Sequence, residues 1–83
     1  MSTADRIRVV LGQHGKLASD IATLGDDDSL YSAGLTSHAT VNVMLALEDE
    51  FDVEFPDKYL KRATFASVAS LQVALESLLG AGA

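Results

Sequence analysis

Gly34-Leu35-Thr36-Ser37-His38 runs straight into a helix-spaced apolar stretch from Ala39 to Phe51, and this passage decides the fold. Gly34 supplies permissive backbone where a loop ends, and a serine hydroxyl stands where the helix begins. Ser and Thr favour the N-cap, where the side-chain oxygen accepts an early helical N–H, so the plain expectation for Ser37 is a cap. The helix is predicted from about Ser37 to Asp52, with Val43, Leu47 and Phe51 forming an i, i+4, i+8 core stripe. Leu45 is also expected to be buried. Val41 and Met44, one and two turns beyond Ser37, are candidates for a partly exposed docking patch, since methionine suits surfaces that fit several partners.

Outward from this helix, the first segment carries Ile7, Val10 and Leu11 at helical spacing, with Thr3 as its expected cap, Asp5 in the first turn and Gly15 as its stop. His14 continues the apolar face and has no Cys, His or carboxylate constellation around it, so it is read as an edge residue. From Lys16 to Thr36 the period is lost, apart from a short helical turn between Ala18 and Leu24. Leu24, Leu30, Tyr31 and Leu35 are the expected anchors of this long connection, and Ser29 can cap a turn through Leu30 and Tyr31. Asp26-Asp27-Asp28 lacks the alternation, glycine and distal glutamate of a calcium loop, so it is read as a solvated acidic turn.

Beyond the central helix, Pro56 forces a turn. Residues Asp57 to Lys61 suit a short third helix, with Tyr59 and Leu60 available to pack. Thr64 is the expected cap of the last helix, whose Val68, Leu71, Leu75 and Leu78 recur at helical spacing. Gly80 should end it and leave a fraying tail. No strand pattern is present. The expectation is an all-α, four-helix bundle: three longer helices plus one short third helix, with a long loop between helices one and two. At 83 residues the chain has room for a single domain, residues 1–83, with one core.

Cysteine is absent, which excludes disulfides, thiolate metal sites and thiol catalysis together. No apolar run reads as a membrane span and no N-terminal pattern as a signal peptide, so the expectation is a cytoplasmic monomer. The placement of charge is more informative than its sum. All six bases lie outside the stretch from Leu17 to Asp57, which holds ten of the twelve acids. Such a field repels nucleic acid and anionic membrane, and it suits equally a face for a basic partner and a merely solubilising surface. Glu48, Asp49, Glu50 and Asp52 crowd the C-terminal end of the central helix, where the macrodipole disfavours each by about 0.3–1 kcal/mol. That local conflict marks Glu48 and Asp49 as candidate docking residues beside Val41 and Met44.

Catalysis finds little support. Ser37 and His38 are neighbours that project about 100° apart on a helix, so they make no natural dyad. No nucleophile elbow, phosphate-binding glycine loop or metal-ligand spacing is present.

The ordered set Asp28-Ser29-Leu30, Gly34-Leu35-Thr36-Ser37, Leu47-Glu48-Asp49-Glu50-Phe51, Phe55-Pro56-Asp57 and Thr64 resembles the acyl carrier protein and peptidyl carrier family over nearly the whole chain. The resemblance implies the four-helix fold and 4′-phosphopantetheine on Ser37, flanked by Gly34, Leu35, Thr36 and His38. It further implies acyl or aminoacyl cargo held as a thioester. The implied partners are a phosphopantetheinyl transferase, a loading ligase and downstream transferases or synthases, with no nucleic acid or membrane. Where most acyl carriers have Asp-Ser-Leu, this chain has Thr36-Ser37-His38, and Ala39 and Asn42 replace early helical acids. The form Gly-Leu-Thr-Ser-His-Ala is similar to small stand-alone carriers loaded with an activated amino acid. The competing expectation is an acidic helical adaptor in which Ser37 is only a cap.

Overall fold

The computed structural model describes residues 2–81. It has three α-helices, α1 (Thr3–His14), α2 (Ser37–Phe51) and α3 (Val68–Ala81). Short 3-10 turns at Ile21–Thr23, Asp57–Tyr59 and Arg62–Phe65 interrupt the connections, and no strand occurs among the described residues. α1 packs against both α2 and α3. The core is Ile7 and Leu11 from α1, Val43, Leu47 and Phe51 from α2, and Val68, Leu71 and Leu75 from α3, with Leu30, Phe55 and Phe65 inserted from the loops. No helix is long and apolar enough to cross a membrane.

The all-helical expectation holds, but the count of four does not. Where a short third helix was expected at Asp57 to Lys61, a single 3-10 turn forms and then breaks. Pro56 sets its start, Leu60 leaves the helical region at φ −85°, ψ 64°, and Lys61 is extended at φ −141°, ψ 159°. Three residues cannot repay the cost of nucleating an α-helix. A second 3-10 turn then carries Thr64, so Thr64 is not the cap of α3. That role falls to Ser67: its Oγ accepts the Ser70 N–H at 3.1 Å, and Ser70 Oγ accepts the Ser67 N–H at 3.0 Å. Thr64 is buried instead, its carbonyl accepting the Ser70 hydroxyl at 2.9 Å.

Two further boundaries shift by one residue or more. α1 is capped by Ser2, not Thr3, in a capping box where the Ser2 Oγ accepts the Asp5 N–H and the Asp5 carboxylate accepts the Ser2 N–H. At the other end of the chain Gly80 does not stop α3, which continues through it to Ala81. A glycine ends a helix when its φ turns positive, and Gly80 stays helical. The rest of the expected fraying tail, residues 82–83, lies outside the described residues.

The acids at the end of α2 are answered locally. Asp52 terminates the helix in the left-handed region at φ 53°, ψ 51°. Glu50 accepts the Arg6 guanidinium at 2.9 Å while that guanidinium lies 4.2 Å over the Phe51 ring, and Glu48 accepts the Phe55 N–H at 2.8 Å. The Glu48 contact ties the chain after α2 back onto the helix. Half the acidic cluster is thus engaged within the fold.

The long connection from Gly15 to Thr36 is packed down through its own groups. Leu30 is fully buried and its N–H donates to the Ala66 carbonyl at 2.8 Å. Arg8 of α1 donates to the Ile21 and Leu24 carbonyls at 3.0 and 2.8 Å and to the Asp26 carboxylate at 2.6 Å. At Gly34, φ is +113° and an added Cβ would stand 2.8 Å from the Ala18 backbone nitrogen. Gly34→Ala should therefore lower unfolding stability by more than about 1 kcal/mol in a urea titration. At the N-terminus, the Ser2 N–H and then the Ser2 side chain hold the Asp5 carboxyl below its ordinary 3.8. The capping-box contribution should be full above that ordinary value and lost as pH falls through the lowered one. Melting curves of Asp5→Asn should accordingly lose less with acidification than those of the parent.

Candidate functional site

Thr36, not Ser37, is the N-cap of α2. Its Oγ1 accepts the Ala39 N–H at 3.0 Å, and its carbonyl accepts both the Thr40 N–H and hydroxyl, at 2.8 and 2.7 Å. Both are β-hydroxyl residues, and the choice falls on Thr36 because it is the one with extended backbone, φ −92° and ψ 164°. Ser37 is the first helical residue. Its side chain is exposed, and its hydroxyl has no hydrogen-bond partner among the described residues. The expectation that Ser37 serves merely as a cap is thereby corrected.

Ser37 lines a groove of about 390 Å³ between α2 and the turns that precede α3, together with Tyr31, Thr40, Val41, Met44, Leu60, Lys61, Arg62 and Phe65. Val41 is half exposed and Met44 partly buried, so the structure brings both to Ser37. It does not bring Glu48 or Asp49 there. Glu48 is committed to the Phe55 N–H, and Asp49 faces a second, polar groove of about 530 Å³ between α1 and α2, with His14, Lys16 and Asn42. Leu45, expected in the core, lines this second groove and is 54% exposed. It stands about 200° around the helix from Val43, and the stripe of Ala39, Val43, Leu47 and Phe51 already fills the core face. His38 is exposed and lines neither groove.

Sequence reasoning missed the far wall of the Ser37 groove. Tyr31 does more than anchor the connection: its hydroxyl donates to the Arg62 carbonyl at 2.8 Å and the Arg62 guanidinium lies 3.8 Å over its ring. Burial raises the Tyr31 phenol above its ordinary value, with Arg62 opposing. An aromatic and an arginine separated by a loop and a helix carry no local spacing signal. Lys61, Thr40 and Leu60 join them on the same wall or floor.

A nucleophile prepared for turnover would be bonded to a base, and none of the histidines or carboxylates is hydrogen-bonded to Ser37 among the described residues. No group of three or more potential metal ligands occurs among them either. The site is thus a free hydroxyl on the rigid end of a helix, beside an open groove, a place where a group can be tethered. Comparison with known proteins agrees. The family described as "Phosphopantetheine attachment site" matches residues 7–72. An aminoacyl carrier protein of Agrobacterium fabrum (strain C58) is 41% identical over 73 residues, covering 88% of each chain. A chain in the crystal structure of engineered Bradyrhizobium japonicum glycine:[carrier protein] ligase, complexed with carrier protein from Agrobacterium tumefaciens and ATP, superposes with TM-score 0.89 at 38% identity. That match covers 92% of this chain and 99% of the other. The solution structure of a holo acyl carrier protein from Nitrosomonas europaea gives TM-score 0.84 at 32% identity, covering 96% and 99%.

The chain belongs to the phosphopantetheine-attachment family. It is a carrier and not a catalyst, and its prosthetic group is 4′-phosphopantetheine. The site accommodates such a group on its own evidence, because Ser37 offers an unengaged hydroxyl and the groove beside it is open. Capping and hydroxyl display on adjacent residues make a direct prediction. Thr36→Ala should cost about 1 kcal/mol of stability, whereas Ser37→Ala should stay within about 0.5 kcal/mol of the parent in the same urea titration.

Proposed function

We propose that Ser37 is the attachment residue for 4′-phosphopantetheine and that the cargo is an amino acid. The observation that carries the first assignment is the division of roles at the start of α2: Thr36 satisfies the helix, and Ser37 is left exposed and unengaged. Gly34 and Leu35 shape the approach, Leu35 being buried beneath the turn, and His38 stands exposed beside the serine. The free N–H groups at the start of α2 favour an anion there, which suits a phosphodiester on the Ser37 oxygen. Once attached, the arm supplies the thiol that this cysteine-free chain lacks, and with it the thioester that holds the cargo. The protein itself contributes rigidity at Ser37 and a surface on which partners dock.

Support for an aminoacyl cargo comes from the relatives. The Agrobacterium fabrum protein is described as an aminoacyl carrier protein, and similar chains occur in complexes of glycine:[carrier protein] ligase, one of them with glycylated carrier protein. The partners assigned here are thus a phosphopantetheinyl transferase, an ATP-dependent aminoacyl-loading ligase and a downstream transferase or synthase. Val41 and Met44 form the docking patch beside Ser37, with Asp49 as an outlying acidic contact. Residues 1–83 act as one carrier domain, monomeric and cytoplasmic.

Incubation with coenzyme A and a broad-specificity phosphopantetheinyl transferase, followed by intact-mass measurement, tests the attachment. The parent should gain one phosphopantetheine and Ser37→Ala none. A folded parent that gains nothing, or a Ser37→Ala variant that still gains, would sink the assignment. The loaded form, given ATP, glycine or alanine and an aminoacyl ligase, should then gain one residue mass that hydroxylamine removes. Charge reversal separates the two acids. Asp49→Lys should slow loading with little change in stability, whereas Glu48→Lys should cost about 1–3 kcal/mol because the Phe55 N–H loses its acceptor.

A further inference from the structure

The groove that Ser37 lines has the opposite charge to the protein that holds it. The chain carries a net charge of −6, yet the residues lining the groove include Lys61 and Arg62 and no acid. The remaining bases near acids are spent: Arg6 pairs with Glu50 and Arg8 with Asp26. Lys61 and Arg62 make no ion pair among the described residues. Nor does Arg62 spend its N–H donors in holding its position. Its guanidinium carbon lies 3.8 Å from the Tyr31 ring centroid, and its backbone is pinned by the Tyr31 hydroxyl at 2.8 Å. The guanidinium is therefore positioned while its N–H donors stay free among the described residues, an arrangement that suits an oxyanion.

We propose that Lys61 and Arg62 are the seat of the phosphodiester on the arm that Ser37 carries. This rests on the attachment assignment above and adds to it a residue pair on another element. The phosphodiester is the arm's one fixed anion and lies next to its point of attachment, so a cationic wall on the same groove meets it first. Arg62 offers paired donors to its oxygens, and Lys61 offers a point charge that adapts. Both side chains are exposed, so the contact is screened by salt. The seat draws the root of the arm toward Val41 and Met44 and away from the α1 side of α2.

Phosphorus NMR of the holo protein tests this, with intact mass confirming one phosphopantetheine in every sample. At low salt the parent's phosphodiester line should differ in position and be broader than that of Lys61→Gln/Arg62→Gln, in which the arm loosens. Salt at about 1 M, where the Debye length falls to about 3 Å, should bring the parent line onto that of the double variant. Lys58→Gln, which removes a base from the same region but outside the groove lining, should leave the line in place. Lys61→Gln alone disturbs no aromatic stack and supplies the test if Arg62→Gln unfolds, far-ultraviolet circular dichroism being the check. Identical lines in parent and variants would overturn the seat. So would an equal shift in Lys58→Gln, which would reduce the effect to general charge. Unchanged lines with slower transfer to a partner would assign the two cations to that partner instead. Failure of the parent to take up the group at all would overturn the attachment assignment itself, and the mass spectrum shows that separately.

Discussion

The structure depends on the guanidinium of Arg8. It reaches from α1 across the long connection and gathers two carbonyls and a carboxylate from a segment with no regular structure beyond one 3-10 turn. Ordering such a segment costs about 1–2 kcal/mol per residue in backbone entropy, which this charge-assisted set of bonds offsets together with the burial of Leu30 and Leu35. The Asp26 carbonyl then accepts the Ala69 N–H at 2.9 Å, so the same segment is fastened to the start of α3. From this fixed point the chain descends into the core at Leu30, passes the close contact of Gly34 with Ala18, and delivers Thr36 to its capping position. The location of the Ser37 hydroxyl is the last term in that series.

Charge is organised differently in the folded molecule than along the chain. The sequence has a long acidic interior flanked by bases, which suggests an acidic face awaiting a basic partner. Folding brings the flanks back: Arg6 and Arg8 from α1 neutralise Glu50 and Asp26, and Glu48 turns inward to a backbone N–H. What stays outward near Ser37 comes from the turns before α3 and is cationic. On α2 itself and its C-cap the exposed acids, Asp49 and Asp52 among them, lie toward the end of the helix and not at its beginning.

The helices were legible because periodicity is a direct record of burial. Val43, Leu47 and Phe51, and Val68, Leu71 and Leu75, are buried as their spacing required. Caps were less legible, since a hydroxyl residue within one to three positions of a helix start satisfies the same rule. Ser2 competed with Thr3, Thr36 with Ser37, and Ser67 with Thr64, and only backbone dihedrals decide among them. Leu45 was misjudged because an apolar residue opposite a complete core stripe has nowhere to be buried. In the site, Val41 and Met44 could be found from their distance to Ser37 along one helix. The Tyr31 and Arg62 wall is a product of tertiary folding, and neither residue announces the other.

Assigning the cap to Thr36 and the hydroxyl on display to Ser37 has a consequence for the economy of the protein. Were one residue to perform both tasks, each attachment of a prosthetic group would disturb the bond that caps the helix. With the tasks on neighbouring residues, the bond between Thr36 and the Ala39 N–H leaves the serine oxygen free for attachment. On the proposed assignment, newly made protein already has its helix capped before a transferase reaches it.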